Sequence, residues 1–308
     1  MRLFVLGLLI LLPASQAAFA SLDDTLLSIV PHSSTVLAGI DVRRATASRS
    51  GNYVLEQTIR DQDFAKLTTL IGLNVRRDLR QMLLVGLGPQ TAPNSPRALI
   101  ADGPFDPLRL IATGTSRGAL MKRYSGFSIL VKGTGKAVSG VAFPRAGVLI
   151  LGDLATVQAL LDSEPSSSGM NPTLREQVNR IGPTSDIWFA TVLPGSFLAH
   201  QMGDALPPQI GSSELLDRIS QSSGGLRFGQ SDELRLDLSA RSAGDARLIS
   251  GLLHLGGSLA HLQIGGDAGV LLAQTVLSSM QIAVEGSTVY ATSVMPDAQL
   301  EQLLASAN

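Results

Sequence analysis

The stretch Asp24–Val42, DTLLSIVPHSSTVLAGIDV, limits this chain most, because it comes back near the middle as Arg175–Leu193, REQVNRIGPTSDIWFATVL. Each reads as a short helix, a proline–serine turn and an apolar strand leading into small and polar residues. Aligning Pro31 with Pro183 pairs Ser33 with Ser185, Val36 with Trp188, Leu37 with Phe189 and Ala38 with Ala190. A helix opened by Asp106-Pro107 has its counterpart in Asp245–Leu262. Ser128–Gly133 matches Gln281–Gly286, with Ile129, Val131 and Gly133 against Ile282, Val284 and Gly286. Asp153 caps a helix ending in Leu160-Leu161, as Asp297 caps one ending in Leu303-Leu304. These pairs keep their order at separations of about 140 to 150 residues, the mark of one supersecondary unit used twice.

Strands joined by short turns pair antiparallel, and amphipathic helices then cover the sheet. The expected fold is therefore α+β: two related halves, each a mostly antiparallel sheet with helices packed on one face. A doubly wound nucleotide-binding sheet does not fit. The Pro- and Ser-rich run Pro165–Pro172, PSSSGMNP, is the natural joint. It divides the chain into residues 1–20 as signal peptide, 21–164 as first half, 165–172 as linker and 173–308 as second half.

The N-terminus carries an export signal. Met1-Arg2 is positive, Leu3–Leu12 is apolar, Pro13 breaks the run, and Ala18-Phe19-Ala20 supplies an A-x-A cleavage site. The apolar run is too short to span a bilayer, which takes about 20 residues. A soluble periplasmic or extracellular protein without a transmembrane anchor after cleavage is expected. The chain has no cysteine, which removes disulfides, thiolate nucleophiles, zinc–thiolate sites and iron–sulfur clusters. A net charge of −1 argues against nucleic acid as partner, and 4% aromatic residues leave little for stacking platforms.

Few motifs suggest chemistry. Gly114-Thr115-Ser116-Arg117-Gly118 matches the G-x-S-x-G nucleophile elbow, which needs a strand before the serine and a helix after it. Here the preceding residues read as helix. A triad could be completed from Asp204 or Asp245 with His254 or His261, and Ser116 is the one catalytic candidate. Gly133-Thr134-Gly135-Lys136 lacks the spacing of a phosphate loop and reads as a hairpin turn. Asp61-Gln62-Asp63 reads as a solvated helix start, and no metal or cofactor is expected. The mixed charges around Asp41, Arg43, Arg44, Arg76, Arg77, Asp78 and Arg80 read as solvated salt bridges near strand ends.

The helix around Leu252 is the most suggestive stretch for binding. Leu248, Leu252, Leu255, Leu259 and Leu262 form one apolar stripe, and Ser250, His254, Ser258 and His261 another. His254 and His261, two turns apart, stand about 10 Å from each other along the axis, too far to share a metal. Leu252, His254, Leu255, Leu259 and His261 are thus candidate ligand-binding residues, one wall of an apolar groove. A helix buried on most of its circumference is the competing reading.

Gly39–Gln57 (GIDVRRATASRSGNYVLEQ), Gly72–Gly86 (GLNVRRDLRQMLLVG) and Gln221–Gly229 (QSSGGLRFG) resemble uncharacterised secreted proteins of the kind found in acidobacteria. That resemblance implies export and a shared fold and carries over no catalytic residue. The expectation is an exported, soluble, non-enzymatic binding or scaffold protein of the cell envelope, its partner an apolar small molecule. An envelope protein–protein interaction module and a serine hydrolase using Ser116 are the alternatives.

Overall fold

The computed structural model describes residues 24–88, 97–134, 137–163, 169–195, 216–260, 275–276 and 278–306. The expected signal peptide and the first residues of the expected linker lie outside these. Two compact units emerge, one made of residues 20–46 and 54–176, the other of residues 47–53 and 177–308.

The first unit opens with α1 (Asp24–Leu27), β1 (Ser34–Asp41) and α2 (Val42–Ala45). Then come α3 (Arg49–Arg60), whose first turn belongs to the second unit, α4 (Gln62–Ile71) and α5 (Val75–Asp78). β2 (Gln81–Leu87), β3 (Arg97–Asp102) and α6 (Pro107–Ser116) follow. The unit continues with β4 (Leu120–Tyr124), β5 (Phe127–Thr134), β6 (Ala137–Arg145), β7 (Val148–Asp153) and α7 (Leu154–Ser163). Its strands run in the order β1-β2-β3-β7-β6-β5-β4, and every neighbouring pair is antiparallel.

α8 (Pro172–Ile181) carries the chain from the first unit into the second between Glu176 and Gln177. There follow β8 (Ile187–Thr191), β9 (Ile219–Arg227), β10 (Ser231–Ala240), α9 (Ala243–Ala260), β11 (Gln281–Glu285), β12 (Thr288–Pro296) and α10 (Asp297–Ser306). The strand order is β8-β9-β10-β12-β11, again antiparallel throughout. The fold class is α+β, as the short turns and hairpins imply.

The strands of each unit follow one path. Three strands form a meander, a helix leaves the third, and a hairpin returns with its second strand beside that third strand. A helix then closes the path: α7 after β7, α10 after β12. The first unit adds the hairpin β4–β5 beyond β6. By position in the sheet β11 corresponds to β6, not to β5, with which sequence similarity pairs it. The sequence of β6, AVSGVAFPR, hides its strand character behind Gly140 and Pro144.

Side-chain alternation divides the central strands of the first unit between two cores. Leu99, Ala101, Leu149, Leu151, Val141 and Leu130 face Leu67 and Ile71 of α4 and Leu110 of α6. Ile100 and Ile150, both fully buried, point to the opposite face, where Leu154 of α7 packs beside Gly140 and Ile129. Helices therefore cover both faces there, one layer more than a single-faced sheet. β3 and β7 accommodate this because they carry apolar residues at every central position instead of alternating with polar ones.

Polar side chains fix the ends. Asp106 accepts from the Leu108 amide at 2.9 Å and, with Pro107 in the first turn, starts α6. Asp78, at 5% exposure, is buried instead of solvated. It takes Arg77 Nε at 2.7 Å, Arg109 Nη2 at 3.0 Å and the Asn74 amide at 2.9 Å. The Arg77 hydrogen bond, helped by Asn74 and Arg109 and opposed by burial, holds its carboxyl down at about 2. The neighbouring backbone is equally tight: a Cβ on Gly103 would lie 2.0 Å from the Asp78 carbonyl oxygen.

Candidate functional site

In the second unit Ser242 and Asp245 set the start of α9. The Asp245 amide donates to Ser242 Oγ at 3.1 Å, while that hydroxyl donates to Asp245 Oδ2 at 2.7 Å. Arg218 Nη1 lies 2.5 Å from Asp245 Oδ1, and these bonds, Ser242 first, hold the carboxyl below its usual range. Ala246 and Ile249 are buried and Leu252 and Leu253 half-buried, against Leu236, Leu238, Ile282, Val284 and Val289 of the sheet.

The buried face of α9 therefore centres on Ala246, Ile249 and Leu253 and not on the leucine stripe. Leu248 and Leu255 stand outside it, 46% and 48% exposed, although no charged residue occurs from Leu248 to the end of the helix. Leu252 sits at the boundary and His254 is exposed. The side chain of Leu259 and the whole of His261 lie outside the described residues. What the structure brings together is an apolar flank of two exposed leucines, one helical face removed from a packed core.

Ser116 ends α6, its hydroxyl donating to the Thr113 carbonyl at 2.8 Å. Gly118, at φ 82, then turns the chain into β4. The serine thus sits between a helix and a following strand, the reverse of the strand-to-helix turn that exposes a nucleophile. Asp204 lies outside the described residues, and Asp245 is held by Ser242 and Arg218. Gly135 and Lys136 also lie outside them. Asp61 caps α4 by accepting from the Phe64 amide at 3.1 Å. Among the described residues no group of three His, Asp or Glu side chains is arranged to hold a metal ion.

One cluster has no local sequence signal. Asp297 accepts from the amides of Ser50 at 2.9 Å and Arg49 at 3.2 Å, and its carbonyl accepts from Ser50 Oγ at 2.9 Å. It thereby caps α3 across 247 residues of chain. Asp232, fully buried at 0% exposure, faces this group and takes the Gly229 amide at 3.3 Å on one oxygen. Its other oxygen finds no donor among the described residues. Burial, reinforced by the Asp297 carboxylate, pushes Asp232 up to about 6 against the pull of Ser50 and Gly229. Burial also pushes Asp297 up, but the Ser50 and Arg49 amides and the Ser50 hydroxyl outweigh it and leave its carboxyl below the usual range. Of the two carboxyls, Asp232 is the one that holds its proton to higher pH.

Across the same sheet Asp237 takes Arg235 in a fork at 2.9 and 3.1 Å, and Arg180 of α8 approaches at 3.4 Å. The Arg235 guanidinium lies 5.8 Å from the Tyr290 ring centre. Arg235 thus matches the Asp237 carboxylate, while Arg180 Nε, though at ion-pair distance, is buried without a hydrogen bond among the described residues.

An α+β chain whose two units each trace one path of antiparallel strands is the class that this architecture defines. No family model matches the chain, and no curated protein matches it. Solved structures do: crystal form I of TP0453 has 12% sequence identity and a TM-score of 0.54, covering 94% of this chain and 99% of that one. Crystal form IV of TP0453 has 12% identity and a TM-score of 0.51, covering 91% and 96%. At this identity the likeness is one of fold. Among the described residues no helix is long and apolar enough to cross a membrane.

Proposed function

We propose that this chain is an exported, non-enzymatic binding protein of the cell envelope that holds an apolar ligand along α9. The observation that carries the reading is the charge-free part of α9 from Leu248 onward, with Leu248 and Leu255 left exposed beside a packed core. Apolar side chains at such spacing, on a helix already packed on its other face, are a contact surface for something apolar. The export signal and its A-x-A site support an envelope location. The path that the strands of both units share supports an origin by duplication of one half.

The test is native mass spectrometry and organic extraction of the purified full chain. A lipid-sized mass should be retained, and replacing Leu248 and Leu255 together by serine should weaken its binding about thirtyfold, since each exposed leucine contributes on the order of 1 kcal/mol to such a contact. A chain that retains no compound and takes up no fluorescent fatty acid would sink the proposal.

A further inference from the structure

We propose that the free edge of β4 docks an extended, acidic segment of another protein as an added strand of the first unit's sheet. β4 and β5 are joined by Ser125 and Gly126, both at positive φ (47 and 87), a two-residue hairpin turn. The residues flanking such a turn, Tyr124 and Phe127, form a hydrogen-bonded pair. Alternation gives the same status to Lys122–Ile129 and Leu120–Val131. Met121 and Arg123 occupy the other positions, so their amides and carbonyls point away from β5. β4 is the last strand in the order, and no backbone group of the described residues takes up these outward groups.

The side chains select the occupant. Leu120 is 67% exposed and Met121 46% exposed, on opposite faces of the strand. Lys122 and Arg123 are exposed too and have no ion-pair partner among the described residues. The nearby Lys132 ammonium donates to the carbonyls of Arg117 and Gly118, at 3.0 and 3.2 Å, and so remains uncompensated by any carboxylate there. The adjacent acid, Asp162, is engaged by Tyr124 Oη at 2.6 Å and Ser125 Oγ at 3.0 Å.

Charge alone would blunt such an edge, but exposed apolar neighbours invite a partner strand. A second copy is a poor one. Paired antiparallel so that Met121 meets Arg123, the register that uses both free residues, it would set Lys122 against Lys122. Cross-strand neighbours share a face, so an extended segment in which apolar pairs alternate with acidic pairs satisfies the backbone groups while setting apolar side chains against Leu120 and Met121 and acidic ones against Lys122 and Arg123.

The experiment uses the full chain and fluorescent peptides of about eight residues, the length of an ordinary strand, in which pairs of valines alternate with pairs of glutamates or with pairs of lysines. Anisotropy should show the glutamate peptide binding about tenfold more tightly than the lysine peptide, an effect of charge complementarity. Met121→Pro removes one outward donor and leaves the β4–β5 bonds in place. It should weaken binding about tenfold with the circular dichroism unchanged. Arg123→Glu should weaken the glutamate peptide and favour the lysine one, and it covers the case in which the proline variant fails to fold. Absence of binding by the glutamate peptide, equal binding by both peptides, or a dimer that Arg123→Glu strengthens would overturn the proposal.

Discussion

Gly103→Ala should lower the thermal midpoint of the protein by roughly 6 to 12 °C, corresponding to a loss of about 3 kcal/mol. The added Cβ would stand 2.0 Å from the Asp78 carbonyl oxygen, 2.8 Å from its carbon and 2.7 Å from Leu79 Cα. All three are backbone atoms, so no side-chain rotation relieves the contact. The backbone around them is pinned on both sides: the Gly103 amide donates to Gly147 at 2.9 Å and the Arg80 amide to Asp102 at 2.8 Å. Relief must come from moving α5, which would pull Asp78 from its arginines. Thermal unfolding followed by circular dichroism reads the effect. An unchanged midpoint would show that α5 gives way freely and that the Asp78 network contributes little.

The second large effect concerns pH. The folded chain holds the Asp232 proton more tightly than the unfolded chain. The stability this adds is full below the ordinary carboxylate range and is lost as pH rises through about 6. Asp78 and Asp297 have the opposite sign. Their contributions stand above the ordinary range and vanish as pH falls through their lower folded values, about 2 for Asp78. Asp232→Asn keeps the shape, lets an amide donate to Asp297, and removes the buried charge. It should stabilise the chain by about 1 to 2 kcal/mol at pH 7, below the ceiling of roughly 3 kcal/mol that a shift of about two units sets. At pH 4.5 the variant and the parent should nearly coincide. Urea midpoints at the two pH values decide it. Destabilisation by Asp232→Asn at pH 7 would mean that the ionised carboxylate is an asset there.

Much of the architecture is legible in the sequence because it depends on local chemistry. Asp106-Pro107 starts a helix, and the apolar runs of β1, β3 and β7 name themselves. Two strands do not. β4 is five residues with four exposed, so it has no buried alternation to read. Glu214–Gln221 shows the converse. Its polarity and spacing suggest helix, yet β9 already begins at Ile219, because pairing with β10 outweighs local preference.

The candidate site is half legible. The apolar length of α9 is plain, but which of its faces is buried depends on where the sheet places Val289 and Leu238. The Asp232–Asp297–Ser50 cluster was out of reach. Its members are common surface residues in sequence, and only the sheet and the helix ends make them neighbours. In the same way Asp78 reads as a solvated charge until α6 brings Arg109 beside it.

The cap that Asp297 places on α3 also bears on the order in which the chain can be completed. A polypeptide emerging from its N-terminus presents the Ser50 and Arg49 amides first, and their acceptor follows only 247 residues after Ser50. Until then the first turn of α3 is left to water, and closing that contact means gathering a loop of well over 200 residues. The second unit is therefore a structure that growing chains cannot finish piecemeal. Loss of the final helix by truncation before Asp297 would leave α3 uncapped at the opposite end of the sequence, a defect far from the missing residues.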